Sequence, residues 1–178
     1  MKKDFIKLCL WISFIISLII AVYFDFNASK EIIKCLSNVP AIAELIIIVY
    51  CKWLWQIKIL NFLKVKNLNG TWDCTIKYNF HNEYRQKECN VKIKQDLFGI
   101  QVNFNTDETN SWSVTASIES NHENHYLVYV YKTETKKEYR DGNRDQYGAV
   151  RLLIEGDKMS GEYWTNNKTD GIMELIRK

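Results

Sequence analysis

The chain has 178 residues and a formal net charge of +3, but only about 110 residues follow its apolar first third, which suits one compact domain behind an anchor rather than two domains. The charge is divided: residues 1–66 hold nine Lys against four acids, net +5, and the remainder holds fifteen basic and seventeen acidic side chains, net −2. The basic excess therefore belongs with anionic lipid, and net charge gives no argument for a nucleic-acid polymer as partner of the larger part.

The opening stretch, MKKDFIKLCLWISFIISLIIAVYFDF, has about twenty apolar residues from Phe5 to Phe24, enough to span a hydrocarbon core. A signal peptide would have a shorter apolar run ending in small residues at a cleavage site, so a membrane anchor is predicted over about 5–24. Cys9, Ser13, Ser17 and Ala21 recur every fourth residue. They form either a stripe for close helix packing or a chance run of small residues.

A second span is predicted over about 41–60, in PAIAELIIIVYCKWLWQIKILNFL. Lys52 with Trp53 and Trp55 reads as an interfacial belt, a long cation snorkelling beside indoles at headgroup level. Glu44 either lies in hydrocarbon, where it needs a partner and becomes a candidate for assembly, or sits at the interface beside Pro40. Lysines precede the first span and follow the second, while those between the spans, Lys30 and Lys34, are offset by Asp25 and Glu31. Both termini are therefore expected in the cytoplasm. Five Cys (9, 35, 51, 74, 89) fit that compartment as free thiols, and their spacing matches no zinc or redox motif.

After a linker at 64–69, LNGTWDCTIKYNF begins a strict alternation. Trp72, Cys74, Ile76, Tyr78 and Phe80 share one parity, and Thr71, Asp73, Thr75, Lys77 and Asn79 share the other, the mark of a half-buried strand. Seven further runs follow: KECNVKIKQD, GIQVNFNT, SWSVTASIES, HYLVYVYKT, YGAVRLLIEG, KMSGEYWTN and GIMELIRK. Eight strands with short connections and one apolar face each can close on themselves, which removes exposed edges. The expected fold is an all-β domain over 70–178, an eight-stranded up-and-down antiparallel barrel of lipocalin-like form, behind a two-helix transmembrane hairpin over 1–63. A two-sheet sandwich is the alternative.

Such a barrel either fills its interior or holds one small ligand. Strands at 125–131 and 161–164 are rich in aromatics, namely Tyr126, Tyr129, Tyr131, Tyr163 and Trp164. Aromatic walls suit base stacking and suit a packed core equally, and parity alone leaves open which face of 125–131 is interior. Enzyme readings find little to rest on: no G-x-S-x-G, phosphate loop or paired Cys is present, and His122 and His125 stand three apart at a strand turn, a spacing that does not align ligands on one strand face. The chain is read as a non-enzyme without metal or cofactor.

Two spans ahead of LNGTWDCTI, LVYVYKTET, YGAVRLLI and MSGEYWTNNKTDGIMELIRK, in that order, resemble the CD-NTase-associated two-transmembrane β-barrel effectors of CBASS antiphage defence. The resemblance covers essentially the whole chain. It implies that a cyclic di- or trinucleotide, made by a CD-NTase during infection, binds the barrel. It further implies a homo-oligomer in the bacterial inner membrane that disrupts the lipid and kills the infected cell. On this resemblance Trp72 lies inside near the floor, Tyr129, Tyr131 and Tyr163 face the interior, Gly148 and Gly161 stand where wall meets ligand, and Thr169 sits at the mouth. With Tyr78 on the parity of Trp72, and Arg151 either turned outward or serving as a phosphate clamp, these make the candidate ligand set. Ser13, Ser17 and Glu44 are the candidate assembly residues.

The turns near 81–88, 105–109, 134–145 and 165–170 share one end of such a barrel and hold seven basic against nine acidic residues. A broad basic funnel is absent, so bound phosphate needs a few aimed cations, such as Arg140 or Arg144, or backbone amides. A membrane-tethered lipocalin-like carrier of a small hydrophobic ligand is the alternative function, because G-x-W also opens that architecture. A structural anchor with a filled barrel is a third.

Overall fold

The computed structural model describes residues 11, 13–15, 18–19, 22, 39–57, 61, 64–80, 83–139 and 145–178. The chain divides into two units, Met1–Lys66 with Asp96–Phe98, and Asn67–Gln95 with Gly99–Lys178.

In the first unit, helix α1 (Val39–Lys52) runs through LIIIVY and is followed by a 3-10 turn, Leu54–Gln56. Among the described residues no helix is long and apolar enough to cross a membrane. Much of the expected first span, including Cys9, Ser17 and Ala21, lies outside the described residues, as do Lys58, Ile59 and Leu60 of the second. Ser13 is helical and half-buried, and Glu44 is exposed on α1. Trp53 is exposed with the Lys52 ammonium 5.7 Å from its ring centre. Trp55 departs from the expected belt: it is fully buried with Cys51 and Leu97, beside Ile47, Tyr50 and Val65. Trp55 lies within the 3-10 turn while Trp53 precedes it, and the Leu97 N–H donates to the Cys51 carbonyl at 3.1 Å.

The second unit is a closed barrel, β1-β2-β3-β4-β5-β6-β7-β8. Its strands are β1 (Gly70–Phe80), β2 (Glu83–Gln95), β3 (Ile100–Asn105), β4 (Thr109–Asn121), β5 (Asn124–Thr135), β6 (Gln146–Glu155), β7 (Lys158–Thr165) and β8 (Asp170–Arg177). Every neighbour is antiparallel, and β8 returns to β1 through Trp72 to Tyr78 paired with Arg177 to Gly171. The eight predicted strands are all present, and the barrel rather than the sandwich closes them.

Period-two alternation sends one parity of each strand inward. The interior receives Trp72 and Cys74 from β1, Val91 and Ile93 from β2, Val102 and Phe104 from β3, and Leu127, Tyr129 and Tyr131 from β5. Val150, Leu152 and Ile154 from β6, Met159 and Tyr163 from β7, and Met173 and Leu175 from β8 complete it. The face of β5 that sequence left open is thus settled with Leu127, Tyr129 and Tyr131 inside and Val130 outside.

One end of the barrel is plugged. Trp72 is fully buried there, its indole N–H donating to the Leu68 carbonyl at 3.1 Å and its ring lying 4.6 Å from the Arg177 guanidinium. Arg177 in turn donates to the Asn69 carbonyl at 3.1 Å and the Asn67 carbonyl at 2.6 Å. Gln95 accepts from the Leu68 N–H at 2.7 Å. The indole N–H and two guanidinium nitrogens of Arg177 are thus satisfied by carbonyls of the segment that enters the barrel, while the Arg177 Nε lies 3.1 Å from the Asp157 carboxylate.

The wall is uneven. Beside the twelve residue pairs joining β4 to β5, β3 and β4 share three, Asn103 to Trp112, Phe104 to Ser111 and Asn105 to Asn110. A bulge between Ser113 and Thr115 then turns β4 away, and the Val102 N–H bonds to the Ser113 hydroxyl at 2.9 Å instead of to a strand carbonyl.

Candidate ligand-binding cavity

The apolar filling stops part-way along the barrel. Beyond Phe104, Tyr131 and Met173 the inward positions become Ser111, Thr133 and Thr135, and an open-mouthed cavity of about 550 Å³ occupies this end. That volume lies in the range of small-molecule sites. The aromatic part of its lining is Tyr78, Phe104, Tyr131 and Tyr163, with Phe104 edge-on to Tyr131 at 5.1 Å between ring centres. Seven hydroxyl side chains, Thr106, Thr109, Ser111, Thr133, Thr135, Thr165 and Thr169, supply most of the polar part, beside the amides of Gln146 and Asn167. Three pairs of them are hydrogen-bonded: Ser111 with Thr133 at 2.8 Å, Thr106 with Thr109 at 2.9 Å, and Thr165 with Thr169 at 2.6 Å. Thr165 is fully engaged, since its oxygen also accepts from the Asn167 and Thr169 N–H groups at 3.3 Å, whereas Ser111 and Thr133 keep further donor or acceptor capacity to offer a ligand.

Two basic residues, Arg85 and Lys87, complete the lining from β2. Both are ion-paired: Arg85 with Glu83 at 3.2 Å, and Lys87 with Glu108, itself a lining residue, at 3.1 Å. Tyr131 and Tyr163 are held in the neutral, donating form. Burial raises the Tyr131 phenol above its ordinary range, with a smaller contribution from Tyr163. Tyr163 is pushed up to about 12 by burial, with Tyr78 and Asp170 adding to the shift.

The predicted ligand residues separate into three groups. Tyr78, Tyr131, Tyr163 and Thr169 line the cavity. Trp72 and Tyr129 point inward but belong to the core rather than to the lining. Tyr129 is almost fully buried, and its hydroxyl meets the Met173 sulfur at 3.4 Å, so its side chain is already enclosed by protein. Arg151 is on the outer wall, because Val150 and Leu152 on either side of it face inward, and its guanidinium carbon lies 3.7 Å from the Tyr126 ring centre. The phosphate-clamp alternative for Arg151 is thereby corrected: strand alternation and a cation–π contact hold it outside.

The two glycines expected at the ligand serve the wall. A Cβ on Gly148 would overlap the Tyr131 ring, and one on Gly161 would overlap the Arg151 carbonyl. Arg140 and Arg144 lie outside the described residues. Sequence counts Arg85 and Lys87 among the cations of the mouth turn near 81–88, with Lys87 opening the run KECNVKIKQD, and does not single them out; in the fold they continue the inward parity of Cys89, Val91 and Ile93. Extending that alternation four residues toward the N-terminus would have revealed them.

Beneath the cavity, Cys74 and Cys89 stand directly opposite on β1 and β2. The Cys74 thiol, hydrogen-bonded to Cys89 and buried, is raised, while Cys89 is lowered by that same bond and by the Lys87 charge.

A closed eight-stranded barrel plugged at one end and opening at the other into an aromatic and hydroxyl-lined cavity is a small-ligand-binding barrel. Residues 63–177 match the family model described as Cap15, cyclic dinucleotide receptor domain. The chain is 31% identical over 144 residues to the CD-NTase-associated protein 15 of Staphylococcus schleiferi, covering 80% of this chain and 79% of the relative. It is 27% identical over an alignment of 180 residues to the protein of the same name from Escherichia albertii, covering 94% and 92%. The chain belongs to the Cap15 family of CD-NTase-associated proteins, the CBASS effector family that its sequence resembles.

Proposed function

We propose that the barrel is the sensor of a CBASS membrane effector and that its ligand is a cyclic dinucleotide bound in the open-ended cavity. The observation carrying this reading is the mixed lining. Four aromatic rings offer stacking surfaces for bases, while hydroxyls including Ser111 and Thr133, with two cations, offer partners to sugar and phosphate. A carrier of a hydrophobic ligand calls for a uniformly apolar cavity, and this cavity does not favour it. The family description, a cyclic dinucleotide receptor domain, points the same way.

In this reading the protein is a receptor rather than an enzyme. It resides in the inner membrane through its two N-terminal spans, with both termini in the cytoplasm, and ligand drives self-assembly and membrane disruption. Ligand drives assembly only to the extent that it binds the assembled form more tightly than the resting one. Ser13, Ser17 and Glu44 are the residues we assign to packing between spans.

The test is calorimetric titration of full-length protein in detergent with cyclic di-AMP, cyclic di-GMP, cyclic GMP–AMP, a cyclic trinucleotide and a fatty acid. Dye-leakage measurements on proteoliposomes follow for any ligand that binds. Saturable binding of one cyclic dinucleotide together with ligand-dependent leakage is the expected result. Binding of only the fatty acid would establish the carrier instead.

A further inference from the structure

The cations of the cavity are ion-paired within the protein, Arg85 with Glu83 and Lys87 with Glu108. Arg85 and Lys87 are two residues apart on one face of β2, so their side chains leave the strand side by side, about 7 Å apart along it. β3 pairs with β2 only from Asn90 to Gln95, so the segment from Glu83 to Cys89 rises above the end of β3. The Lys87–Glu108 ion pair spans from this overhang to the β3–β4 turn. Lys87, Arg85 and Glu108 all line the same cavity, whereas Lys136, near the same end, does not line it and is held by backbone. It donates to the Thr106 and Asp107 carbonyls at 2.9 Å and 3.0 Å.

A cyclic dinucleotide carries two phosphodiesters, each a single negative charge, held at a fixed separation by its ring. A dianion entering this cavity meets Glu108 as a like charge and Lys87 as a cation already satisfied. Adding phosphate without moving the carboxylate leaves one cation between two anions, an arrangement that like-charge repulsion opposes.

Resting on the reading that the cavity takes a cyclic dinucleotide, we infer that Arg85 and Lys87 receive its two phosphodiesters and that Glu108 is an internal counter-ion which the ligand displaces from Lys87. Binding is then an exchange of anions. An uncharged apolar ligand cannot drive it, so Glu108 also acts as a selectivity element. The exchange releases the β3–β4 turn from the β2 overhang, which gives the bound state a local geometry that the empty state lacks.

The exchange has a signature in sign. Titrating full-length protein in detergent with the cyclic dinucleotide panel, we expect Lys87→Gln to weaken binding about tenfold or more, as loss of a charge-assisted phosphate contact does. Arg85→Gln should act similarly. Glu108→Gln should tighten binding about three- to fivefold, the scale of a partly exposed ion pair no longer competing. In the Lys87→Gln background the Glu108→Gln gain should vanish. Lys87→Arg keeps the charge and should bind within about threefold of wild type, which separates loss of charge from loss of fold should the Gln variant unfold.

Weaker binding by Glu108→Gln would overturn the exchange, since it would make Glu108 a ligand contact or a prop for Lys87. Unchanged affinity in both Lys87→Gln and Arg85→Gln would overturn the phosphate assignment while leaving the receptor reading intact. Failure of the wild type to bind any cyclic dinucleotide would overturn the receptor reading, and this inference with it.

Discussion

Gly148 stands directly opposite Tyr131 across β5 and β6, and the phenol ring lies over it so closely that a Cβ there would overlap the ring. The missing side chain is what lets Tyr131 lie against the wall as part of the cavity lining. Gly148→Ala should therefore destabilise the barrel by about 1–3 kcal/mol, the usual cost of overpacking. In a Tyr131→Ala background the same change should add almost nothing, because the overlapping atoms are gone. Urea unfolding of the four proteins measures the coupling.

Trp72 and Tyr129 should behave as core and Tyr78 as site. Trp72→Ala removes a fully buried ring and should cost about 3–5 kcal/mol, and Tyr129→Ala should likewise lower the melting temperature markedly. Tyr78→Ala, at the partly buried cavity wall, should leave melting nearly unchanged but weaken a stacked ligand by about 1–3 kcal/mol. Differential scanning fluorimetry beside ligand titration tells the two behaviours apart.

Arg151→Ala should leave ligand affinity within about twofold of wild type. Its contact is the outer face of Tyr126, and removal should cost about 0.5–1 kcal/mol of stability, the scale of an exposed cation–π pair. A large loss of affinity with unchanged melting would restore it to the site.

Alkaline pH should weaken the barrel. An unfolded tyrosine titrates near 10, whereas Tyr163 is pushed up to about 12 in the fold by burial. Below pH 10 both states keep the proton and stability is at its full value. Between pH 10 and 12 the folded state binds more protons than the unfolded one, so stability falls as pH rises, by up to about 2 kcal/mol from this group. Tyr163→Phe should flatten that fall in urea titrations at pH 9 and pH 11.5.

Within the barrel, Cys89 should react with iodoacetamide ahead of Cys74 at pH 8, since its thiolate is favoured by the bond from Cys74 and by Lys87. Peptide mapping of briefly labelled protein reads the order. Lys87→Gln should slow Cys89 by removing the neighbouring charge.

Alternation made the barrel legible. Once Trp72, Cys74, Ile76 and Tyr78 were recognised as one face, each later strand repeated the pattern, and closure followed from having no apolar edge to hide. The cavity lining was half legible. Tyr78, Tyr131, Tyr163 and Thr169, which line it, stand out because aromatics and a mouth turn are visible in one dimension. Tyr129 shares a strand face with Tyr131 and differs only in depth, a coordinate that parity does not carry. Arg85 and Lys87 did not stand out as lining residues because they sit at the hairpin end where the predicted strand only begins, when here β2 runs on past β3 and keeps turning alternate side chains toward the cavity. Trp55 was misplaced for a related reason: a 3-10 turn changes which way a side chain points, and composition gives no sign of it.

The three-pair join of β3 and β4 makes the barrel a hoop fastened by a short clasp. A hoop yields where its fastening is narrowest, and here neither edge can slide to a new register cheaply, since the bulge at Ser113 and the turn at Thr106 bracket the join on both sides. The wall is therefore least tied by strand pairing along the β3–β4 join, and β4, with its twelve pairs, is fastened to β5 far more than to β3.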